Sequence, residues 1–203
     1  MSTPPLAVLW SGEPLFAASG GVTVIGLRGQ PDRETARSAI RAALLEALAV
    51  CFGIDAGRIE LYSPEGIAPW AMIDAGGGPC RVPLAISHDG DLSVAAFSTD
   101  GGAVGIDVTR IVPVPDWAPV ARDYLGPVAE QDLAALPAGE RDTAFAQAWS
   151  EHEARLKCLG LQLDEWRAER APLLAACRCQ ALALPAGYAG YLAQAAAAAA
   201  AAI

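Results

Sequence analysis

The sequence predicts an α+β protein built from two similar α/β subdomains, related by a pseudo-twofold axis and separated by a cleft. Two observations support this prediction. Short segments of alternating apolar residues are typical of β-strands, and long segments repeat apolar residues at helical spacing. The order of strand, long helix and strand pair closed by a tight turn then occurs twice along the chain. A cleft between two such halves is a common place for a ligand.

The first subdomain is expected to span residues 1–100. Its helix is predicted to begin at Arg33, after Pro31 and Asp32, and to end near Cys51. A turn at residues 88–91 would join the last two strands, and a loop rich in proline and glycine would precede them. Strands are expected at Leu6–Trp10, Val22–Leu27, Arg58–Tyr62, Leu84–Ser87 and Leu92–Ser98.

The second subdomain is expected to span residues 103–192, after a break at Ser98–Gly102. An alanine-rich tail, residues 193–203, would follow it. The predicted elements are a strand at Val104–Ile111, helices at Ala118–Leu136 and Arg141–Cys158, and strands at Cys177–Leu184 and Tyr188–Leu192.

Charge and hydropathy restrict the partners that we expect. The net charge of −9 argues against nucleic acid, because phosphate backbones are bound by clustered lysine and arginine. The uncharged segment Cys179–Ile203 is long enough to cross a bilayer, but Pro185, Gly187 and Gly190 interrupt it. We therefore predict no membrane span and interpret the segment as a strand pair with a tail.

Two further features favour a cytoplasmic protein. The N-terminus has no positive charge before its apolar residues, so no secretory signal is expected. The five cysteines include no pair with zinc spacing and are interpreted as reduced thiols. We expect a monomer with a pseudo-dimeric architecture.

The first segment with chemical potential is Gly105-Ile106-Asp107-Val108-Thr109. Its valine and isoleucine residues alternate as a buried strand face, so Asp107 and Thr109 are expected to share the opposite face. An acid at a strand end that faces a cleft is able to hold a hard cation. A capping or salt-bridged aspartate is the commoner role for such a residue.

The second segment is Trp149–Lys157, in which Trp149, Glu153 and Lys157 are successive i, i+4 neighbours on one helix face. Lys157 is the single lysine among the fourteen lysine and arginine residues. Either this position needs a compact ammonium group, or the lysine occurs there by chance. An ordinary exposed Glu–Lys helix pair stabilises by about 0.2–0.5 kcal/mol. If this helix crosses the strand end, Asp107 and Glu153 would share a magnesium ion, which needs few carboxylates.

The third segment is Ala85-Ile86-Ser87-His88-Asp89, where a predicted strand ends in a Ser-His turn. A histidine on a turn is usually solvated. The chain has two histidines, His88 and His152, and each lies inside one of these segments.

Together the three segments resemble the 4'-phosphopantetheinyl transferases of the surfactin-synthetase-activating type. The patterns of that family are a Ser-His-Ser turn, then Gly-Ile-Asp-Val-Glu, then Trp-(Ser/Thr)-x-Lys-Glu-Ala-x-x-Lys. The corresponding segments occur here in the same order, as Ser87–Asp89, Gly105–Thr109 and Trp149–Lys157. The likeness extends to the helix from Arg33, the loop Gly66–Pro69 and the hairpin at residues 185–188.

The resemblance implies transfer of the phosphopantetheine arm of coenzyme A to a serine of an acyl carrier protein, or of a peptidyl or polyketide carrier domain. It implies that Asp107 and Glu153 bind magnesium, which also holds the pyrophosphate, and that 3',5'-ADP leaves. Lys157 would neutralise the pyrophosphate charge. Glu153, or a water that it orients, would accept the proton of the carrier serine. This division of roles suits phosphoryl-type transfer, which depends mainly on positioning and charge stabilisation.

The resemblance also implies a set of coenzyme-binding residues. His88 matches the histidine that contacts the 3'-phosphate, and Ser87 precedes it in the same motif. Arg33 or Arg37 on the first helix would help to bind this phosphate, although a solvated arginine is equally compatible with the sequence. His152 stands where the family has the first lysine of its helix motif, so any charge there would depend on pH.

Thr109 replaces the glutamate that is often the third metal ligand, and the loop Gly66–Pro69 lacks the lysine often found before its proline. These departures keep two alternatives open. One is a protein that binds coenzyme A but has weakened or lost turnover. The other is a plain interaction module in which Glu153 and Lys157 form an ordinary helix pair.

Overall fold

The computed structural model describes residues 3–10 and 21–195, and it confirms the α+β class. A π-helical turn at Ala121–Leu125 joins α2 to α3, and short 3₁₀ turns lie at Ala56–Arg58 and Ala168–Arg170. In chain order the elements are β1 (Leu9–Trp10), β2 (Val22–Arg28), α1 (Arg33–Phe52), β3 (Ile59–Tyr62), β4 (Trp70–Asp74), β5 (Pro79–Asp89), β6 (Leu92–Ser98), β7 (Ala103–Arg110), α2 (Trp117–Val120), α3 (Pro127–Ala134), α4 (Ala138–Cys158), α5 (Ala171–Ala175), β8 (Arg178–Ala181) and β9 (Tyr188–Ala195).

The first half of the chain forms a six-stranded sheet in the order β1-β2-β6-β5-β4-β3, with α1 on one face. Asp32 caps α1 by accepting hydrogen bonds from two backbone amides of its first turn, and Gly53 ends the helix with a φ of 63°. The apolar stripe of α1, including Ile40, Leu44 and Leu48, is fully buried against this sheet. The predicted amphipathic helix is therefore confirmed and fixes the position of its polar face.

The second half forms an antiparallel sheet in the order β7-β9-β8, with α4 packed on one face. The other face carries Val104, Ile106 and Val108, which pack with residues of the first sheet such as Val94 and Ala96. The two sheets therefore lie face to face, with α1 and α4 on their outer sides. The predicted alternation along β7 is confirmed, because Asp107 and Thr109 lie on the face opposite these apolar residues.

The structure differs from the sequence predictions in the first sheet. Trp70–Asp74 forms strand β4 where a loop was expected, and β5 extends from Pro79 to Asp89. Flanking glycines and Pro69 make this region resemble a loop, although Ala71 and Ile73 alternate as buried residues. Ser87 and His88 consequently lie within the strand and pair with β6 rather than forming a turn.

The helical segment predicted at 118–136 is interrupted. Gly126 adopts a φ of 97° between the π-helical turn and α3, and the indole of Trp166 packs against its α-carbon. Pro127 then begins α3, where its missing amide is not needed.

The C-terminal boundary also differs from the prediction. Strand β9 continues to Ala195, three residues into the segment 193–203 that was expected to form a tail, and residues 196–203 lie outside the described part of the chain. Each half carries one long helix and one sheet, but the pseudo-twofold relation and the boundaries at 1–100 and 103–192 stay predictions. Within residues 3–10 and 21–195, no helix combines the length and the apolar character needed to cross a membrane.

Gly105 permits the close approach of α4 to β7. A β-carbon at this position would lie 2.0 Å from the carbonyl oxygen of Ala154 and 2.3 Å from the backbone nitrogen of Cys158. Both atoms belong to the backbone of α4, which cannot move aside as a side chain can. The contact therefore requires glycine on β7 and sets the distance between strand and helix.

We expect Gly105→Ala to lower the free energy of unfolding by at least about 2 kcal/mol, because the added methyl group overpacks a backbone contact. Urea denaturation monitored by circular dichroism measures this change. Gly139→Ala is the matched control, since Gly139 lies in the first turn of α4 with open space around it and should be neutral or slightly stabilising. A Gly105→Ala variant within 0.5 kcal/mol of the parent, about the range of ordinary surface changes, would contradict this account.

Candidate active site

A cleft of about 980 Å³ lies between the polar face of α1 and the junction of β5 with β7 and α4. Its lining includes Arg33 and Arg37 from α1, Ser87 and His88 from β5, Asp107 from β7 and Lys157 from α4. Six residues that the sequence singled out, far apart in the chain, thus share one cavity.

Asp107 is the most deeply buried of these charged groups, with 6% of the residue exposed. The Lys157 ammonium donates to its Oδ1 at 2.6 Å, and the Ser87 hydroxyl donates to the same oxygen at 2.7 Å. The Thr109 hydroxyl donates to Oδ2 at 3.2 Å. Donors on β5, β7 and α4 therefore converge on this carboxylate, which compensates for the cost of burying it.

Glu153 lies one turn before Lys157 on α4 and is half-buried. Burial raises the pKa of Glu153, the Lys157 ammonium opposes this shift, and the Asp107 carboxylate adds to it. Glu153 therefore interacts electrostatically with both groups, although it is not among the residues that line the cleft. Trp149, one turn further back, packs on Phe145 at 6.0 Å between ring centroids and belongs to an apolar cluster instead of the cleft lining.

The oxygen atoms of Asp107 and its neighbours are of the type that magnesium prefers. The carboxylates of Asp107 and Glu153 and the Thr109 hydroxyl offer hard oxygen ligands, and magnesium is commonly held by one or two carboxylates with water completing its shell. Among the described residues no group of three or more His, Cys, Asp or Glu side chains is arranged for a metal. A metal at this place would therefore depend on oxygens from water or ligand.

The side of the cleft formed by α1 is cationic. The arginines at i and i+4 on α1, Arg33 and Arg37, have no hydrogen-bond or ion-pair partner within the described ranges and act electrostatically on His88. Burial lowers the pKa of His88, and Arg37, Arg33 and Lys157 lower it further. His88 Nδ1 lies 2.7 Å from the Ser93 hydroxyl, which orients the ring. Burial and the neighbouring cations therefore favour the neutral form of the His88 imidazole.

Arg41 is a cleft residue that the sequence analysis did not single out. It follows Arg37 by one helical turn, so the i, i+4 spacing of arginines on α1 was the available signal. Its guanidinium donates to the Ser63 hydroxyl at 2.9 Å and to the Leu61 carbonyl at 3.2 Å. Arg41 therefore holds the end of β3 against α1.

The turn after β5 is fastened to the second sheet. Asp89 accepts hydrogen bonds from the backbone amide of Arg110 at 2.6 Å and from its Nε at 2.9 Å, and the Tyr188 hydroxyl donates to Asp91 at 2.6 Å. Gly90 lies under both partner side chains with a φ of 60°. These contacts keep the strand that carries Ser87 in place beside β7.

His152 is not among the residues that line the cleft. Its Nε2 is buried and has no hydrogen-bond partner in the described structure, and burial lowers its pKa, with a smaller effect from Arg155. The structure therefore brings Arg33, Arg37, His88 and Lys157 together around the cavity but leaves His152 apart from them.

Residues 103–191, from β7 to β9, match the family model of the 4'-phosphopantetheinyl transferase superfamily. A protein of Synechocystis sp. named "Putative 4'-phosphopantetheinyl transferase slr0495" is 28% identical over 104 residues. That alignment covers 51% of this chain and 37% of the relative, so the chain spans little more than a third of the relative's length. The half of the chain that carries Asp107, Glu153 and Lys157 is thus similar to phosphopantetheinyl transferases.

Proposed function

We propose that the protein transfers the phosphopantetheine arm of coenzyme A to a serine of a carrier protein, with magnesium, and releases 3',5'-ADP. The observation that carries the proposal is the distribution of charge in the cleft. Asp107 and Lys157 form an ion pair on the β7–α4 side of the cleft, where Glu153 acts electrostatically with them, and the arginines of α1 line the other side and act on His88. A ligand with a pyrophosphate and a separate phosphate matches this pattern. The family similarity of residues 103–191 supports the same conclusion.

The cationic residues supply the coenzyme site in this proposal. Arg33, Arg37 and His88 bind the 3'-phosphate, since two guanidinium groups without protein partners favour a phosphate through paired N–H donors. Lys157 neutralises the pyrophosphate as 3',5'-ADP leaves. Its flexible side chain is 33% exposed, so the ammonium is able to move from Asp107 towards a bound anion.

Asp107 and Glu153 are the proposed metal ligands, with water completing the shell. A bound magnesium ion would supply positive charge at the pyrophosphate oxygens. Thr109 holds Asp107 Oδ2 through its hydroxyl, a second contact where the related proteins often have a glutamate.

The transfer forms a bond between the carrier serine oxygen and the phosphorus of the phosphopantetheine group. The bond from that phosphorus to the bridging oxygen breaks, and 3',5'-ADP departs with the bonding electrons. The serine proton passes to Glu153 or to a water that Glu153 orients. Burial raises the pKa of Glu153, whereas a bound magnesium ion would lower it, so the basicity of this carboxylate would depend on the metal.

A second candidate is a coenzyme A-binding protein with weak or no turnover. It is favoured by Thr109 in place of a metal ligand and by the positions of His152 and Glu153 outside the cleft lining. Incubation with a carrier protein, magnesium and coenzyme A separates the two candidates. A carrier mass gain equal to one phosphopantetheine arm supports the transferase, whereas coenzyme binding without that gain supports the binding protein. A monomeric, cytoplasmic protein remains part of this proposal.

We expect Asp107→Asn and Glu153→Gln each to reduce transfer by at least about a hundredfold, because each removes a carboxylate needed at the reacting phosphate. The measurement is the rate of mass gain by a carrier protein, with circular dichroism to confirm folding. Glu140→Gln is the control, since Glu140 is an exposed acid in the first turn of α4. Transfer near the parent rate in either site variant would show that the metal assignment is wrong.

Lys157→Met should weaken coenzyme A binding and reduce transfer by about 10²–10³-fold, the usual cost of removing a group that stabilises developing charge. Isothermal titration calorimetry and the carrier assay measure the two effects. Arg122→Gln removes the same charge at an exposed position of the second half and should leave both unchanged. Equal coenzyme affinity in the Lys157 variant and the parent would instead support an ordinary helix pair.

As the pH falls from about 7.5 to 6, coenzyme affinity should increase in the parent relative to His88→Gln. The pKa of His88 is lowered in the free protein by burial and by Arg37, Arg33 and Lys157. A bound phosphate counteracts these cations and raises that pKa, so binding takes up a proton, and linkage makes acid favour the complex. Titration of the phosphate itself is common to both proteins and cancels. Parallel affinity–pH curves would exclude this role of His88.

A further inference from the structure

The hydroxyl of Ser87 has its hydrogen-bonding capacity filled by the protein itself. A serine hydroxyl offers one hydrogen and two acceptor lone pairs. Ser87 Oγ donates to Asp107 Oδ1 at 2.7 Å, and it accepts from the Val108 amide at 3.3 Å and from Lys157 Nζ at 3.2 Å. The residue is 5% exposed. No donor or acceptor position is left for a ligand.

These contacts join β5 and β7, which belong to different sheets of the described structure. Ser87 belongs to β5 of the six-stranded sheet, whereas Val108 lies on β7 at the edge of the three-stranded sheet. Lys157 reaches the same oxygen from α4. One hydroxyl group therefore sets the relative positions of an edge strand, a carboxylate and an ammonium.

We propose that Ser87 is a positioning residue that orients Asp107 and Lys157 and makes no contact with coenzyme A. This inference rests on the proposed function, and it changes the role expected from the sequence, in which Ser87 belonged to the coenzyme-binding group. The hydroxyl acts through Asp107 Oδ1, the oxygen that it shares with the Lys157 ammonium. Removal of a group that orients a metal ligand typically lowers metal affinity by about 10–100-fold.

The structure offers contrasting serine variants. Ser93 is also buried, on neighbouring β6, but its hydroxyl contacts His88 Nδ1 rather than Asp107. Ser150 is fully buried in α4 and its hydroxyl donates to the Gln147 carbonyl. Each alanine variant thus removes one serine hydroxyl. Ser87→Ala removes the hydroxyl that contacts Asp107, and Ser93→Ala removes the one that contacts His88. Ser150→Ala removes a hydroxyl that contacts neither residue.

The first test measures Mn²⁺ affinity by electron paramagnetic resonance, and coenzyme A affinity by calorimetry in the presence of a chelator. Ser87→Ala should bind Mn²⁺ about 10–100-fold more weakly and bind coenzyme A within about threefold of the parent. Ser93→Ala should show the reverse pattern, and Ser150→Ala should change neither affinity. A loss of metal-free coenzyme affinity in Ser87→Ala, or an unchanged Mn²⁺ affinity, would overturn the proposal.

A second test is independent of any ligand. Because Lys157 is the single lysine, ¹⁵N-lysine labelling gives one side-chain ammonium resonance in a nuclear magnetic resonance spectrum. We expect Ser87→Ala to shift or broaden this resonance and Ser150→Ala to leave it in place. An unchanged resonance in Ser87→Ala would overturn the positioning role. If the parent fails to bind coenzyme A, the proposed function fails, but a shifted resonance would still support the link between Ser87 and Lys157.

Discussion

The carboxylate of Asp107 is nearly buried, so the surrounding structure must supply the hydrogen bonds that water would otherwise provide. Its side chain is 8% exposed, and an ionised group in such a place is stable only when hydrogen-bond donors and an opposite charge replace water. Ser87, Thr109 and Lys157 provide them from two strands and a helix. The carboxylate thereby fixes how β5, β7 and α4 meet, and the same three elements form one wall of the cleft.

The helix reaches this carboxylate because glycine allows it to come close. Gly105 lies two residues before Asp107 on the same face of β7, beneath the turn of α4 that runs from Ala154 to Cys158. Lys157 lies within that turn, so the close contact at Gly105 directs its side chain to Asp107. Packing and charge placement therefore depend on one helix–strand contact.

The cleft also shows why net charge is a poor guide to what an acidic protein binds. The chain carries a formal charge of −9, yet Arg33, Arg37 and Lys157 face one cavity. Local potential depends on where charges lie, and low-dielectric walls strengthen the field within a cleft. Burial and these cations lower the pKa of His88, which favours its neutral form.

The sequence by itself determined the features that depend on local periodicity. Alternation along β7 separated Val104, Ile106 and Val108 from Asp107, and helical spacing placed Glu153 and Lys157 on one face of α4. The same reasoning gave the bounds of α1 to within one residue. It missed β4, because glycine and proline around Trp70–Asp74 concealed a short alternating strand.

Only the tertiary structure decided which of these faces meet. Ser87 and Lys157 are 70 positions apart, and their contact results from the packing of two sheets and a helix, which no local pattern encodes. The different positions of the two histidines have the same origin. His88 lines the cleft with the arginines of α1, whereas His152 is not a lining residue and its Nε2 is buried. Periodicity assigns a side chain to a face of its own element, whereas the neighbour on that face is chosen by apolar burial and charge compensation across the whole molecule.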